Sequence, residues 1–209
     1  MPQEHYFSSK PADPASLRTV SVKLAGRDVE VRTAGGVFSP DHVDVGTRVL
    51  FEEVPSPPST GHLLDLGAGW GPIALTLGLE SPDATVWAVD VNERALDLVR
   101  RNARSLGVRN VSAALPDDVP EEVRFATIWS NPPIRIGKAE LHALLRRWLP
   151  RLDDDATAWL VVQKNLGADS LARWIAEEFG EGWRVERAGS SKGFRVLAVG
   201  RERGLLSPG

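Results

Sequence analysis

The chain contains no cysteine. That single absence excludes disulfide frameworks, thiolate zinc sites, iron–sulfur clusters and cysteine nucleophiles. Histidine is scarce: His5, His42, His62 and His142 are scattered and never paired at ligand spacing, so no metal site is expected. Positive charge is not in excess. The formal net charge is −3, which leaves no global field to hold nucleic acid, so any such binding needs a local patch. Long apolar runs are missing too. The longest, around 158–162, falls far short of the ~20 residues of a membrane span. The opening MPQEHYFSSKPADPAS lacks the charged-then-apolar layout of a secretory signal, so a cytoplasmic location is expected. There is no internal repeat, no low-complexity segment and no G-x-x-x-x-G-K-[ST] phosphate loop.

What is present is an ordinary globular composition. The 209 residues are 42% hydrophobic and 25% charged, enough for one domain with a sizeable core, or one domain with a short appendage. TVSVKLA (19–25) and VEVRTA (29–34) alternate apolar and polar residues around Gly26-Arg27-Asp28, which predicts a β-hairpin. Asp44 is placed to cap a short helix that turns Val45, Val49 and Leu50 inward. PSPPST (55–60) then reads as a linker. Residues 1–55 are accordingly an N-terminal extension, 56–200 the main domain and 201–209 a loose tail.

Beyond the linker, strands and helices alternate. HLLDLG (62–67), TVWAVD (85–90), NVSAAL (110–115), FATIWS (125–130) and ATAWLVVQ (156–163) are strands. Helices are predicted over 72–79, from Asn92 onward, over 138–149 and over 168–179. WRVERA (183–188) and FRVLAVG (194–200) are joined by a link too short for a helix, so they pair antiparallel. The expected fold is an α/β, Rossmann-like, seven-stranded and mostly parallel sheet with one antiparallel strand at its end, helices on both faces and a small N-terminal hairpin.

DLGAGWG (65–71) follows the first strand of this sheet and opens a helix. Gly67, Gly69 and Gly71 allow a sharp turn and close approach of a ligand to the backbone. The helix N-terminus behind them is expected to offer unpaired N–H groups and partial positive charge. In open α/β sheets ligands sit at this place. The dinucleotide spacing G-x-G-x-x-G fails, because position 72 is Pro. Asp65 puts a carboxylate where a cationic group can be held, and the sulfonium and amine of S-adenosylmethionine are cationic. Asp90 ends the second strand, where an acidic residue can accept both ribose hydroxyls of a nucleoside.

SNPPIRIGK (130–138) follows the fourth strand. Pro132 and Pro133 fix the backbone and remove two donors. The neighbouring carbonyls and the side-chain oxygen of Asn131 form a rigid set of acceptors. Such a set suits the grip of an –NH2 group, because accepting its hydrogens turns its lone pair toward an electrophile.

DLGAGWG, Asp90 and NPPIR together resemble the class I S-adenosylmethionine-dependent methyltransferases that modify exocyclic or amide nitrogens. The closer likeness is to the small-domain methyltransferases of the 16S rRNA guanine-N2 type, RsmC-like, carried by GVFS (36–39), DVGTRVL (44–50), NPPIRIGK (131–138) and KGFRVL (192–197). The initial HYFSSKP (5–11) is similar as well, and the match covers most of the chain. The resemblance implies a methyl-transfer site with Asn131, Pro132 and Pro133 at the acceptor amine. It implies a donor site of Asp65, Gly67, Ala68, Gly69, Asp90, Val91, Leu115 and Thr47. Phe38, Ile134, Arg135 and Lys138 then face the substrate. The implied cofactor is S-adenosylmethionine without a metal. The implied partner is RNA, ribosomal RNA or a ribosomal subunit, with no membrane and with a monomer the favoured state. A protein glutamine amide or a small-molecule amine is the alternative acceptor, and a non-catalytic RNA adaptor is the alternative of another class. The chain departs from the pattern at Ile134, where relatives often carry Tyr or Phe to stack on the base, so Phe38, Trp70 and Phe194 are the stacking candidates. It departs again at Ala114-Leu115, where an acidic residue often approaches the adenine.

Arg100, Arg101, Arg104 and Arg109, and then Arg146, Arg147 and Arg151, read as solvated helix faces. Arg135 and Lys138 flank the Asn-Pro-Pro turn and are placed to meet phosphates. Arg135→Ala and Lys138→Ala are therefore expected to weaken RNA binding and flatten its salt dependence, while donor affinity stays unchanged. Each phosphate contact contributes about −0.7 to the log–log slope for single strands. A filter-binding salt titration with the same slope in both variants would move the RNA path away from this turn.

Overall fold

A computed structural model describes residues 17–133 and 137–202. The N-terminal hairpin is β1 (Arg18–Leu24) and β2 (Arg27–Thr33), with α1 (Val45–Glu53) after it. The main run is β3 (His62–Leu66), α2 (Pro72–Glu80), β4 (Thr85–Val89), α3 (Glu93–Ser105), β5 (Val111–Ala114) and β6 (Phe125–Ser130). It continues with α4 (Lys138–Trp148), β7 (Leu152–Gln163), α5 (Ala168–Phe179), β8 (Trp183–Ser191) and β9 (Phe194–Arg201). Seven strands form one sheet in the order β5-β4-β3-β6-β7-β9-β8. The first five are parallel, and β9 runs antiparallel to both β7 and β8. The reversed strand thus lies inside the edge strand β8 rather than at the edge itself.

Turn chemistry sets both hairpins. Leu24 pairs with Arg27, so the first turn is Ala25-Gly26, one residue earlier than the alternation predicts. Both turn residues have positive φ (48° and 73°), the backbone twist that two-residue hairpins favour. Lys192-Gly193 repeats this at 49° and 82°, with Ser191 pairing to Phe194.

The side-chain period of the strands divides the core into two faces. Leu64, Leu66, Ile128, Leu160 and Val162 pack with Leu141, Leu145 and Trp148 of α4 and Leu171 and Ile175 of α5. Leu63, Val86, Ala88, Trp129 and Val161 pack with Val49 and Leu50 of α1, Ile73, Ala74 and Leu77 of α2, and Val99 of α3. A third apolar cluster lies outside this layer. Leu24, Val31 and Ala34 cover Leu75, Ala95, Leu98 and Trp70. The hairpin is therefore a further layer over α2 and α3. This explains why α2, from Ile73 to Gly78, is buried on every side.

One polar side chain fastens that layer. Asn102, fully buried on α3, accepts from Arg32 N (2.7 Å) and donates to the carbonyls of Arg32 (3.0 Å) and Trp70 (3.1 Å). It thereby pairs with β2 as a neighbouring strand would, and holds the hairpin against the turn after β3. Asn102→Leu leaves these backbone groups buried without partners, at a cost of about 1–3 kcal/mol for each group that water cannot reach. We expect urea denaturation to show a lowered midpoint with an unchanged slope.

Candidate functional site

The glycine turn lies at the carboxyl end of β3, and hydrogen bonds close it from within. Gly67 N and Ala68 N both donate to Val89 O (2.8 and 3.0 Å), and Gly71 N donates to Ala68 O (2.9 Å). Gly69 N donates to Asp90 Oδ2 (2.9 Å), and Ala74 N in the first turn of α2 donates to Asp65 Oδ2 (2.8 Å). The expectation of a row of unpaired N–H groups is thereby corrected. Most of these donors are engaged inside the turn, because the two strand ends are stitched together there. Gly67 and Gly69 have φ of 84° and 55°, and a Cβ built on Gly69 would meet nothing within 4 Å. What the turn offers a ligand is open space against its backbone.

Asp90 accepts from Gly69 N on one oxygen and from Asn92 N (2.9 Å) on the other. Asn92 itself caps α3 by accepting from Arg94 N. Burial raises the Asp90 pKa, and hydrogen bonds from Asn92, Gly69 and Val91 pull it back. A carboxylate has about four acceptor positions, so these bonds leave room for a ribose hydroxyl. Val91 is exposed beside it, and Leu115, half-buried, begins the short turn after β5. Asp65 has no exposed surface; it lies beneath the turn, and its Oδ1 has no partner among the described residues.

Across the turn stands the end of β6. Ser130 Oγ donates to Leu66 O (2.6 Å) and fixes β6 to β3 at their carboxyl ends. Asn131 follows at once, and its Nδ2 donates to Asp44 Oδ2 (2.9 Å) and Thr47 Oγ1 (3.2 Å). Pro132 is buried and Pro133 half-buried, with the Pro133 ring 3.7 Å from a Cβ built on Gly67. A single cleft is lined by Gly67, Ala68, Gly69, Thr47, Asp44 and Asn131, with Phe38 and Ser39 along one side.

The segment that carries Phe38 is strapped down by its carbonyls. Arg94 donates to Gly35 O, Asn92 to Gly36 O and Trp70 Nε1 to Ser39 O. Phe38 remains 46% exposed at the cleft, whereas Trp70 is only 1% exposed and packs under the hairpin. Trp70 is therefore a core residue, not a stacking platform. Phe194 is half-buried against Gly46. Lys138 is exposed at the start of α4, while Ile134 and Arg135 lie outside the described residues. The sequence reading gave Asp44 only a capping role and missed it in the site, and it missed Ser130. The later arginines are engaged locally: Arg146 with Glu178, Arg147 with Asp117, and Arg151 with carbonyls of Pro120 and Val123.

Burial of Asp65, helped by the nearby Asp90 charge and opposed by the Ala74 hydrogen bond, raises its pKa from 3.8 to about 8. The folded state therefore holds a proton that the unfolded state has released between those values. Stability contributed at this site is full at low pH and declines as pH rises from about 4 to about 8. Asp65→Asn keeps the acceptor for Ala74 N and cannot ionise. We expect the wild type to lose stability relative to this variant across that window in denaturant titrations, and a pH-independent difference would contradict the assignment.

The chain matches the family model described as methyltransferase small domain over residues 28–198. It is 36% identical over 197 residues to the uncharacterized protein YbxB of Bacillus subtilis, covering 93% of this chain and 96% of that protein. It is 30% identical over 156 residues to ribosomal RNA small subunit methyltransferase C of Aeromonas hydrophila, covering 72% of this chain and 44% of that protein. Among solved structures, the 16S rRNA N2 G1207 methyltransferase (RsmC) of T. thermophilus, in complex with AdoMet and guanosine, superposes with a TM-score of 0.77 at 24% identity. That match covers 92% of this chain and 52% of the other. The chain thus spans about half the length of the ribosomal RNA methyltransferases it matches, and nearly all of YbxB. The family model spans most of the chain, from the second strand of the hairpin to the last strand of the sheet, and the glycine turn and the Asn-Pro-Pro turn both lie within that span: the chain belongs to the methyltransferase small-domain family.

Proposed function

We propose that the protein is an S-adenosylmethionine-dependent N-methyltransferase whose acceptor is an exocyclic amine, guanine N2 of ribosomal RNA. The observation that carries this reading is the shared cleft. Asn131 at the end of β6 and the glycine turn at the end of β3 line the same space, so an amine held at one meets a group held at the other.

The residues fit the methyl donor. Open space at Gly69 admits a close approach to backbone, and Asp90 keeps acceptor capacity for a ribose hydroxyl. Asp65, expected to hold a cation, instead lies beneath the turn, where burial favours its protonated form and its role is to hold Ala74 N. The donor supplies an electrophilic methyl on a sulfonium. The chain's residues supply alignment. Asn131 Oδ1 and the Pro132 carbonyl accept the hydrogens of the amine, which points its lone pair into the cleft. Phe38, exposed at the cleft, offers a ring face to a planar base. Catalysis is then mainly orientation of the reacting atoms with little acid–base work. A base that is stacked or paired must first be extruded. Arg135 and Lys138 complete the proposed substrate face. The family and the ribosomal RNA methyltransferase named above support the RNA acceptor.

The test is transfer of labelled methyl from S-adenosylmethionine to ribosomal RNA, transfer RNA and protein fractions, with nuclease and protease controls. Nuclease-sensitive label recovered as N2-methylguanosine supports the proposal. Protease-sensitive label would reassign the acceptor to a protein amide, and donor binding without transfer would point to an adaptor. Within the RNA reading, Asn131→Ala is expected to lower the single-turnover rate roughly 100- to 1000-fold, by analogy with loss of one preorganised polar group at a reaction centre. Donor affinity by calorimetry should change far less, because the glycine turn and Asp90 remain.

A further inference from the structure

Asn131 is held by a residue 87 positions earlier in the chain. Asp44 Oδ2 accepts from Gly46 N (2.7 Å), which caps α1, and from Asn131 Nδ2 (2.9 Å). Thr47 Oγ1 lies 3.2 Å from the same amide nitrogen. The two ends of an asparagine amide have nearly the same shape, so the groups they meet decide which end faces where. A carboxylate offers only lone pairs and a hydroxyl can take either part. Asp44 therefore admits the NH2 end of Asn131 and leaves Oδ1 as the acceptor of that amide at the cleft.

The position of Asp44 is itself fixed. A Cβ built on Gly46 would lie 2.8 Å from the Phe194 ring and 2.9 Å from Asp44 Oδ2, so only glycine fits between them. Val49 and Leu50 seat α1 on the sheet. The carboxylate is thus presented by a helix end packed against the Phe194 ring and the sheet.

We propose that Asp44 is the positioning residue for the acceptor. By selecting the orientation of the Asn131 amide, it makes the cleft accept N–H donors, such as exocyclic amines and primary amides, and reject groups that bring only lone pairs. This rests on the reading of Asn131 as the amine clamp. A capping role alone predicts something different, because serine caps a helix as well as aspartate yet is too short to reach Asn131. Asp44→Ser therefore separates the two roles. Asn131→Asp places two carboxylates together and removes the donor.

The experiment uses the full chain labelled with nitrogen-15. The side-chain amide resonance of Asn131 is assigned by its disappearance in Asn131→Asp. In Asp44→Ser we expect this resonance to lose its shift and its protection from exchange, while the Gly46 backbone amide and the affinity for S-adenosylmethionine stay near wild type. Single-turnover methyl transfer to transcribed 16S ribosomal RNA should fall roughly 10- to 100-fold, as loss of an orienting partner does at other sites. An unchanged Asn131 resonance in Asp44→Ser, or a normal rate in that variant when Asn131→Ala is impaired, would each overturn the proposal. A normal rate in Asn131→Ala would instead overturn the amine clamp, and the acceptor selection with it. If the wild type does not label that RNA, the ribosomal RNA reading fails, and the resonance alone decides whether Asp44 holds Asn131.

Discussion

The junction of β3, β4 and β6 at their carboxyl ends is the constraint on which the rest of the site depends. Val89 O accepts from both Gly67 N and Ala68 N, Asp90 accepts from Gly69 N, and Ser130 Oγ bonds to Leu66 O. These bonds lock the glycine turn to its neighbours on both sides. They also use the turn's own N–H groups, so the turn is rigid without a ligand. A site built this way suits a donor whose anionic end is a single carboxylate. A polyphosphate needs several free N–H groups pointing at it.

The hairpin and the strap extend the same logic outward. α2 is apolar on all sides and needs cover on the face turned away from the sheet. The hairpin provides it, and Asn102 joins hairpin, α3 and turn in one set of hydrogen bonds. The chain then crosses from the hairpin to α1 over the turn, clamped through its carbonyls by Asn92, Arg94 and Trp70. Phe38 and Asp44 reach the cleft by this route. An N-terminal segment that reads as an extension thus supplies part of the candidate site.

Features with a local physical cause were legible in the sequence. Period-two and period-3.6 patterns gave the strands and helices, Asp44 and Asn92 announced their caps, and DLGAGWG and NPP marked the two turns. The pairing of the last two strands followed from a connection too short for a helix. What stayed hidden arises between distant residues. Trp70 stands in the glycine turn and looked like a ligand neighbour, but its ring turns into the hairpin interface, and the hairpin's packing there could not be read locally. The unpaired N–H groups expected at the turn were claimed by Val89 O and Asp90, a pairing set by register between strands. One signal was present but unread: a helix as uniformly apolar as PIALTLGLE (72–80) implies a second covering layer.

The two halves of the cleft are held by different kinds of interaction, and this bears on how such a fold can change its acceptor. The donor half is largely backbone: a turn with positive φ, closed by main-chain bonds and one carboxylate on a strand end. Side-chain replacement around it, other than at Asp90, leaves these main-chain bonds in place. The proposed acceptor half is a side-chain network in which Asp44 and Thr47 meet Asn131 from 87 and 84 residues earlier in the chain. One substitution there changes which hydrogen-bonding groups face the incoming molecule, while the sheet and the donor turn remain. In the proposed reading, variation of the acceptor at constant fold and donor is therefore easiest at this network, where a carboxylate sets the direction of an amide and the amide sets what can bind.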